Sequence, residues 1–379
     1  MIKGMKVLFF VFSVGLIFTG CSNKVEVKEL NFGYIGPLST RATFLGVGPA
    51  KAIGLNIEQY NENRKEGEPK INYFTEDDKW EKSLAIPKYQ KLRNEHNIDV
   101  LFISNSDGTV ALQDKILEDN VICINPLNSD DLLSALNDHT FKVAKNTEDA
   151  NGLVGHRIIE LGYKKTAIFH FPNDYMTRAA KSVEKILLSE NLNCKLIKTE
   201  KNKTDFTKEL KILKAEEYDS YIIFGYNKYG YVIKQARELG INAPFFGANT
   251  FLEEEFFDNS AGTGIGAEFA FFTTVDGNEF LANEFIDDYK IRYNESPPAI
   301  WPTLQACDAS RIVIDAVREV NKSKPENIAF DNWLRDELFN TTYFEGVCGN
   351  LSIGKDGAAR GIYFSLYKCV GRMEIEKIE

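Results

Sequence analysis

The sequence alternates strand-like and helix-like segments, and this alternation constrains the fold more than any other feature. Short apolar runs such as VLFI at 100–103 are each followed by a longer stretch with the period of an amphipathic helix. The cycle begins near residue 30 and restarts near residue 165. Repeated β-α-β units form parallel sheets with helices on both faces. The sequence therefore predicts an α/β fold with two parallel sheets, one in each of two lobes.

Four strand–helix units are predicted in each half of the chain. In the first half the strands are LNFGYIGPLS, INYFTED, DVLFISNS and VICINP, and the helices are Gly46–Asn63, KWEKSLAIPKYQKLRNE, TVALQDKILED and SDDLLSAL. In the second half the strands are KTAIFHFP, CKLIKTE, SYIIFGY and APFFGAN, and the helices are YMTRAAKSVEKILLSEN, FTKELKILKAE, YGYVIKQARELG and FLEEEFF. Helices are also predicted at NEFIDDYKIRY and PTLQACDASRIVIDAVREV, and a hairpin around GKDG at 354–357.

Polar loops follow the predicted strands at the end where parallel sheets bind ligands. They are PLST, SNSDGT, NPLNS, FPNDY, GYNKYG and GANT. Ligands of open α/β sheets sit beyond the carboxyl ends of the strands. If the two lobes face each other, these loops line one cleft.

The N-terminal segment is predicted to be an export signal rather than part of the fold. Residues 1–6 carry two lysines, residues 7–20 are mostly apolar, and small residues precede Cys21. This arrangement resembles a bacterial lipoprotein signal, in which the cysteine is acylated and becomes the new N-terminus. The alternative is an ordinary cleaved secretory signal beside an incidental cysteine. Either alternative predicts an exported protein, with residues 1–20 as signal and 21–29 as a polar tether.

Several kinds of chemistry have little support in the sequence. The net charge of −10 argues against a nucleic-acid partner. The four histidines are scattered without metal-ligand spacing, and Ser106 has no adjacent base, so we expect neither a metal site nor an enzyme. No cofactor motif is present.

The cysteines after Cys21 show no disulfide framework. Cys123 and Cys307 lie in apolar runs and are interpreted as small buried residues. Cys348 and Cys369 flank the predicted C-terminal hairpin, where either a disulfide or two free thiols would fit the spacing.

The order of these motifs resembles that of the type I periplasmic solute-binding proteins, in particular the leucine/isoleucine/valine-binding receptors of ABC transporters. The resemblance covers residues 30–370 and rests on segments such as GYIGPLSTRATFLG, DVLFISNSDGTVALQDKILEDNVICINPLNSDDL, FPNDYMTRAA and PPAIWPTLQACDASRIVIDAV. It implies two Rossmann-like lobes joined by three crossings, which close over a ligand by hinge bending. By analogy the first lobe is 30–145 plus 275–345, and the second is 146–274 plus 346–379.

The resemblance also assigns candidate ligand contacts. It implies hydroxyl contacts from Ser106 and Ser129, a backbone carbonyl from Leu127, aromatic cover from Tyr175, Tyr226 and Trp301, and further contacts from Leu45 and Asn249. Asn249 stands where amino-acid binders often carry an acid that pairs with the ligand ammonium. Asp107 is a candidate at the same loop as Ser106, although its position at a helix start is also typical of a cap. Under that alternative, residues 106–109 form a cap without a ligand role.

The leading hypothesis is a lipid-anchored receptor, attached to the membrane through Cys21, that delivers a small polar organic ligand to an ABC permease. The ligand class it implies is an amino acid, an amide or a related acid. The alternative is an envelope lipoprotein of the same fold that acts on a protein partner as a sensor or regulator.

Overall fold

The structure of this protein is a computed structural model that describes residues 26–40, 42–127, 131–144, 147–272, 278–362 and 364–378. The predicted signal, Cys21, the first part of the tether and Ser129 lie outside these residues. Within them the predicted alternation of strands and helices is confirmed. None of the helices in these ranges is both long and apolar enough to cross a bilayer.

The bounds of the elements are as follows. The strands are β1 (Glu29–Gly36), β2 (Lys70–Asp77), β3 (Val100–Ile103), β4 (Ile122–Asn125), β5 (Thr140–Lys142), β6 (Lys165–His170), β7 (Asn193–Lys198), β8 (Ser220–Phe224), β9 (Phe245–Gly247), β10 (Glu268–Phe271), β11 (Phe344–Glu345), β12 (Gly349–Ile353), β13 (Ala359–Ile362), β14 (Ser365–Gly371) and β15 (Glu374–Lys377). The helices are α1 (Val47–Glu62), α2 (Lys82–His96), α3 (Ser106–Ala111), α4 (Gln113–Glu118), α5 (Thr147–Glu160), α6 (Asp174–Ser189), α7 (Thr207–Ala215), α8 (Gly230–Glu238), α9 (Glu254–Asn259), α10 (Glu279–Tyr293), α11 (Ile300–Arg318), α12 (Val320–Ser323) and α13 (Phe330–Phe339).

The first lobe is built on a parallel sheet in the order β2-β1-β3-β4-β5 within the described residues. The inner strands β3 and β4 are buried on both faces because helices cover both. In β3, Val100 and Phe102 belong to the core that packs against α1 and α11, while Leu101 and Ile103 belong to the core under α2 and α4. This two-sided burial explains why the VLFI run shows no polar alternation.

The second lobe has a mixed sheet in the order β15-β14-β10-β9-β8-β6-β7 within the described residues. The strands from β6 to β10 are parallel, and β14 and β15 add an antiparallel edge beside β10. Phe169 of β6 faces one helix layer and Ile168 faces the other. The fold is therefore the predicted one of two lobes with parallel sheets and helices on both faces.

Two local predictions differ from the structure. The helix expected from Thr109 begins earlier, at Ser106, because the Asn105 side chain accepts a hydrogen bond from the Gly108 amide at 3.1 Å and caps it. The segment SDDLLSAL, expected as a helix, forms only a short 3₁₀ turn at Asp131–Leu133 within the described residues.

The C-terminal segment divides between the lobes. The hairpin of β12 and β13 around GKDG is confirmed, and its residues Leu351, Ile353 and Ala359 pack in the first lobe's core. Only β14 and β15 join the second sheet, so the assignment of all of 346–379 to the second lobe differs from these contacts. The other lobe boundaries stay a prediction, since 145–146 and 273–277 lie outside the described residues.

The cysteines after Cys21 are all free thiols. Cys348 is buried in the core of the first lobe, and Cys369 is buried on β14 in the core of the second. The two residues therefore do not face each other across a hairpin, and the disulfide alternative is wrong.

Candidate ligand-binding site

A cavity of about 510 Å³ lies where the two lobes meet. The residues that line it fall between 44 and 127 and at 301 on the first lobe, and between 151 and 253 on the second. Of the nine residues predicted to contact a ligand, eight line it, and Ser129 lies outside the described residues. The eight are Leu45, Ser106, Asp107, Leu127, Tyr175, Tyr226, Asn249 and Trp301. The structure thus brings together residues that are distant in sequence.

The start of α3 is buried and held by a chain of hydrogen bonds. Thr109 donates from its hydroxyl to the Asn105 carbonyl at 2.8 Å, and the Asn125 amide donates to the Thr109 hydroxyl at 2.9 Å. Ser106 is 7% exposed, and its hydroxyl forms no hydrogen bond with any other described residue. Asp107 is exposed at the cavity edge. The cap is therefore Asn105, and the Ser106 hydroxyl is available to a ligand.

The next loop is also fixed from below. The Leu127 amide donates to the Asn125 side chain at 3.1 Å, and Leu127 itself is buried at the cavity wall. Asn125 therefore connects the two loops that follow β3 and β4.

Two tryptophans of the first lobe line the cavity, and only Trp301 is predicted from the sequence. Trp301 stands in the first turn of α11 and packs against the cores of both lobes. Trp80 follows β2 in the loop before α2, with a positive φ of 64°. An acid-rich stretch such as TEDDKWEK gives no sequence signal that its tryptophan turns inward.

The second lobe presents its tyrosines from the start of α6 and the loop after β8. Asn173 caps α6 by accepting from the Met176 amide at 2.8 Å, and its own amide donates to the Tyr226 hydroxyl at 3.3 Å. Tyr226 packs edge-on against Phe171 with 5.0 Å between ring centroids. Tyr226 remains 42% exposed, so one face is open to the cavity.

Asn249 and Glu253 lie one helical turn apart on the same wall. Asn249 opens a short 3₁₀ helix at Asn249–Leu252, and Glu253 follows it. Burial raises the pKa of Glu253 to about 7, with a further contribution from the charge of Glu255. The Glu253 carboxyl forms no hydrogen bond or ion pair with other described residues. The wall therefore carries an acid that the sequence analysis placed on an ordinary helix.

Asn151 is a second polar group that the sequence analysis missed. It lies in α5, is 6% exposed and lines the cavity. Its amide nitrogen Nδ2 has no hydrogen-bond partner among the described residues. Burial of an unpaired donor is costly. A hydrogen bond from this nitrogen to an acceptor on a ligand would offset that cost and so favour binding. Lys82 and Lys201 also line the cavity, one from each lobe, and both are exposed.

The histidines do not enter this site. His139 is buried in the first lobe, where its ring nitrogens lie 2.7 Å from Asp138 and 3.1 Å from Asp331. Within the described ranges no group of three or more His, Cys, Asp and Glu side chains could hold a metal ion.

Comparison with known families and structures gives a consistent result. Residues 29–364 match the family described as periplasmic binding protein. A leucine binding protein from Thermotoga maritima superposes with a TM-score of 0.77 at 16% identity, covering 92% of this chain and 98% of that one.

Two further solved structures have the same fold and contain ligands. A branched-chain amino acid transporter substrate binding protein from Streptococcus pneumoniae, in complex with isoleucine, gives a TM-score of 0.73 at 24% identity over 93% of this chain and 99% of that one. A solute binding protein of an ABC transporter from R. palustris, in complex with benzoate, gives 0.73 at 17% identity over 92% and 95%. A comparison with curated proteins gives no match.

Proposed function

This chain belongs to the periplasmic binding protein family, and from that premise we propose that it is an extracytoplasmic receptor that captures a small polar organic ligand for ABC-type import. The observation that carries the proposal is the cavity, to which both lobes contribute residues predicted from the sequence. A ligand held between two lobes stabilises their closed arrangement, because each lobe then contributes contacts that it cannot make alone. In this proposal the ligand is bound and released without a chemical step.

In this proposal the first lobe supplies hydrogen bonds and the second supplies cover. The Ser106 hydroxyl and the Leu127 backbone contact the polar head of the ligand. Tyr175 and Tyr226 close over it from the second lobe, with Trp301 between the two cores. Such a mixture of apolar walls and a few placed polar groups is typical of small-molecule sites.

In this proposal the protonation state of Glu253 matches the charge of the ligand. Amino-acid binders often carry an acid where this chain has Asn249, but Glu253 lines the same cavity one turn later. An ammonium group of the ligand would give the Glu253 carboxylate the partner it lacks among the described residues. A ligand without a cationic group would instead be bound with Glu253 protonated. The class we propose is an amino acid, an amide or a related acid.

We further propose that the protein is exported and held at the membrane by acylation of Cys21, and that its protein partner is a membrane permease. The support is the sequence of residues 1–21 alone. Mass spectrometry of the N-terminal peptide from the native host tests the anchor. A diacylglycerol mass on Cys21 is expected, and a plain N-terminus beyond it would remove this part of the proposal.

The receptor proposal is tested by thermal shift of the purified protein with amino acids, amides and short organic acids. A ligand at 100 times its Kd raises the free energy of unfolding by about 2.7 kcal/mol. Small molecules released on denaturation and identified by mass spectrometry name the ligand directly. If protein freed of carried-over ligand shows no shift with any compound, the proposal is wrong.

Two variants locate the ligand. Ser106→Ala should weaken binding about tenfold because one direct hydrogen bond is lost, and Tyr175→Ala should weaken it by a similar factor. Ser83→Ala and Tyr343→Ala serve as controls, since both positions are exposed and lie outside the cavity. Unchanged affinity in both test variants would show that the ligand binds elsewhere.

A further inference from the structure

The loop between β2 and α2 has an unusual backbone. Lys79 and Trp80 are consecutive and have φ values of 54° and 64°. Left-handed backbone is unfavourable for a residue with a side chain, and a bulky residue there is a genuine outlier. Such strain is retained only where the surrounding structure holds it, and it concentrates at binding sites.

Two aspartates hold this loop in place. Asp77 accepts the Lys79 amide at 2.9 Å and the Leu38 amide at 2.8 Å on the same oxygen. Asp78 accepts the Trp80 amide at 2.9 Å, is fully buried, and donates its own amide to the Gly36 carbonyl. These bonds tie the loop to the end of β1. The strained turn therefore places the Trp80 side chain on the cavity wall.

Aromatic side chains from both lobes surround the same space. The first lobe contributes Phe44, Trp80 and Trp301, and the second contributes Tyr175, Phe224 and Tyr226. A flat ring between such walls buries both of its faces. Paired rings are also stabilised by more than the burial of their surface explains, because the edge of one ring is attracted to the face of another. An aliphatic group in the same place is stabilised only by the burial of its apolar surface.

From this geometry we propose that Trp80 determines specificity and that the ligand is a small carboxylic acid or amide with an aromatic ring. The ring stacks against Trp80, and the acceptor oxygens of its head group meet the Ser106 hydroxyl and the unpartnered, buried Nδ2 of Asn151. The inference rests on the proposed receptor function and narrows its ligand class.

Pairs of ligands that differ only in aromaticity test the inference. Benzoate is compared with cyclohexanecarboxylate, and phenylalanine with cyclohexylalanine, by calorimetry on purified protein freed of carried-over ligand. Leucine is included as an aliphatic ligand. In at least one pair the aromatic member should bind about tenfold more tightly. Trp80 and Trp301 line the cavity, so the fluorescence of the protein should change on binding.

Substitution of Trp80 separates a binding role from a packing role. Trp80→Leu should bring the two members of a pair to within about twofold of each other. Trp80→Asn should do the same without lowering the melting temperature of the ligand-free protein, because asparagine tolerates positive φ. Trp333→Phe is the matched control, since Trp333 lies in the first lobe's core and outside the cavity. It should keep the preference for aromatic ligands.

The outcomes are distinct. If saturated ligands or leucine bind as tightly as the aromatic ones, the inference is wrong and the receptor function stands. If Trp80→Asn lowers the melting temperature and keeps the aromatic preference, Trp80 is a packing residue and the inference is wrong. If no compound in the pairs or the wider ligand panel binds, both the inference and the receptor proposal fail.

Discussion

Asp308 in the first lobe and Glu253 in the second are both acids whose pKa is raised by burial, and their surroundings differ. Asp308 lies in α11, is 1% exposed, and accepts the Val347 amide at 2.7 Å and the Cys348 amide at 2.8 Å. Burial raises its pKa to about 6 in spite of these bonds. Burial raises the pKa of Glu253 to about 7, and the carboxyl has no such partners among the described residues.

The difference separates a structural acid from a functional candidate. Asp308 connects α11 to the chain that leads into β12, and a Cβ at Gly346 would lie only 2.6 Å from the nearer Asp308 oxygen. The fold thus offsets the cost of burying Asp308 with its own backbone. The cost of burying Glu253 is not offset in this way, and Glu253 faces the cavity. An acid in a cleft whose pKa is raised without compensating hydrogen bonds is a candidate for a functional residue.

The largest expected effect is that of Asp308→Ala. The change leaves two buried amides without acceptors, so the free energy of unfolding should fall by about 3 kcal/mol. Urea denaturation followed by circular dichroism measures it. Asp315→Ala on the same helix is the control, because Asp315 is exposed, and it should stay within about 0.5 kcal/mol of the wild type. Equal losses in the two variants would remove the structural role of Asp308.

The next effect concerns pH and Glu253. Its pKa is raised from 4.5 to about 7 in the folded protein, so the folded state holds the proton more tightly than the unfolded state. The stability that this contributes is present below pH 4.5 and is lost as the pH rises to 7. Glu253→Gln should remove this loss and should be more stable than the wild type at pH 8, by about 1–2 kcal/mol after allowance for partial exposure.

Urea denaturation at pH 5, 6, 7 and 8 checks the expected trend. Glu254→Gln, at the exposed neighbouring position, should follow the wild-type pH profile. Asp308→Asn should instead destabilise the protein, since an amide can accept only one of the two backbone bonds without bringing two donors together. The same change from acid to amide would then stabilise the protein at Glu253 and destabilise it at Asp308. If Glu253→Gln and Asp308→Asn both destabilise the protein, the Glu253 carboxyl has a structural role in the second lobe, and the distinction drawn between the two acids is wrong.

The smallest effect concerns the helix caps that frame the cavity. Asn105→Ala and Asn173→Ala each remove a side-chain cap, at the start of α3 and of α6, and each should cost about 1 kcal/mol. Only Asn173→Ala also frees the Tyr226 hydroxyl. Ligand affinity should therefore fall further in Asn173→Ala than its loss of stability explains, as measured by thermal shift and calorimetry on both variants. An affinity of Asn173→Ala equal to that of the wild type would show that Tyr226 is positioned without Asn173.

Much of the fold and part of the site could be predicted from the sequence. Period and apolar runs are local signals, so most strands and helices from 30 to 320 were predicted close to their bounds. The exceptions are β5, α5 and β10, which were not predicted, and SDDLLSAL, which was predicted as a helix. The packing of β12 and β13 against the first lobe was missed, because a hairpin pattern does not state which sheet it will cover. The separation of Cys348 from Cys369 was missed for the same reason.

The place of the candidate site could be predicted from the sequence alone, since loops at the carboxyl ends of parallel strands meet at one edge whatever their detailed composition. The sequence also pointed to Ser106 and Tyr175 on the cavity wall. Trp80, Asn151 and Glu253 also lie on this wall, and no local pattern in the sequence predicted them. In sequence Trp80 and Glu253 lie in acidic stretches typical of solvated surface. Their positions on the cavity wall arise from long-range packing. That packing also sets the desolvation of the Glu253 carboxyl, which no short segment encodes.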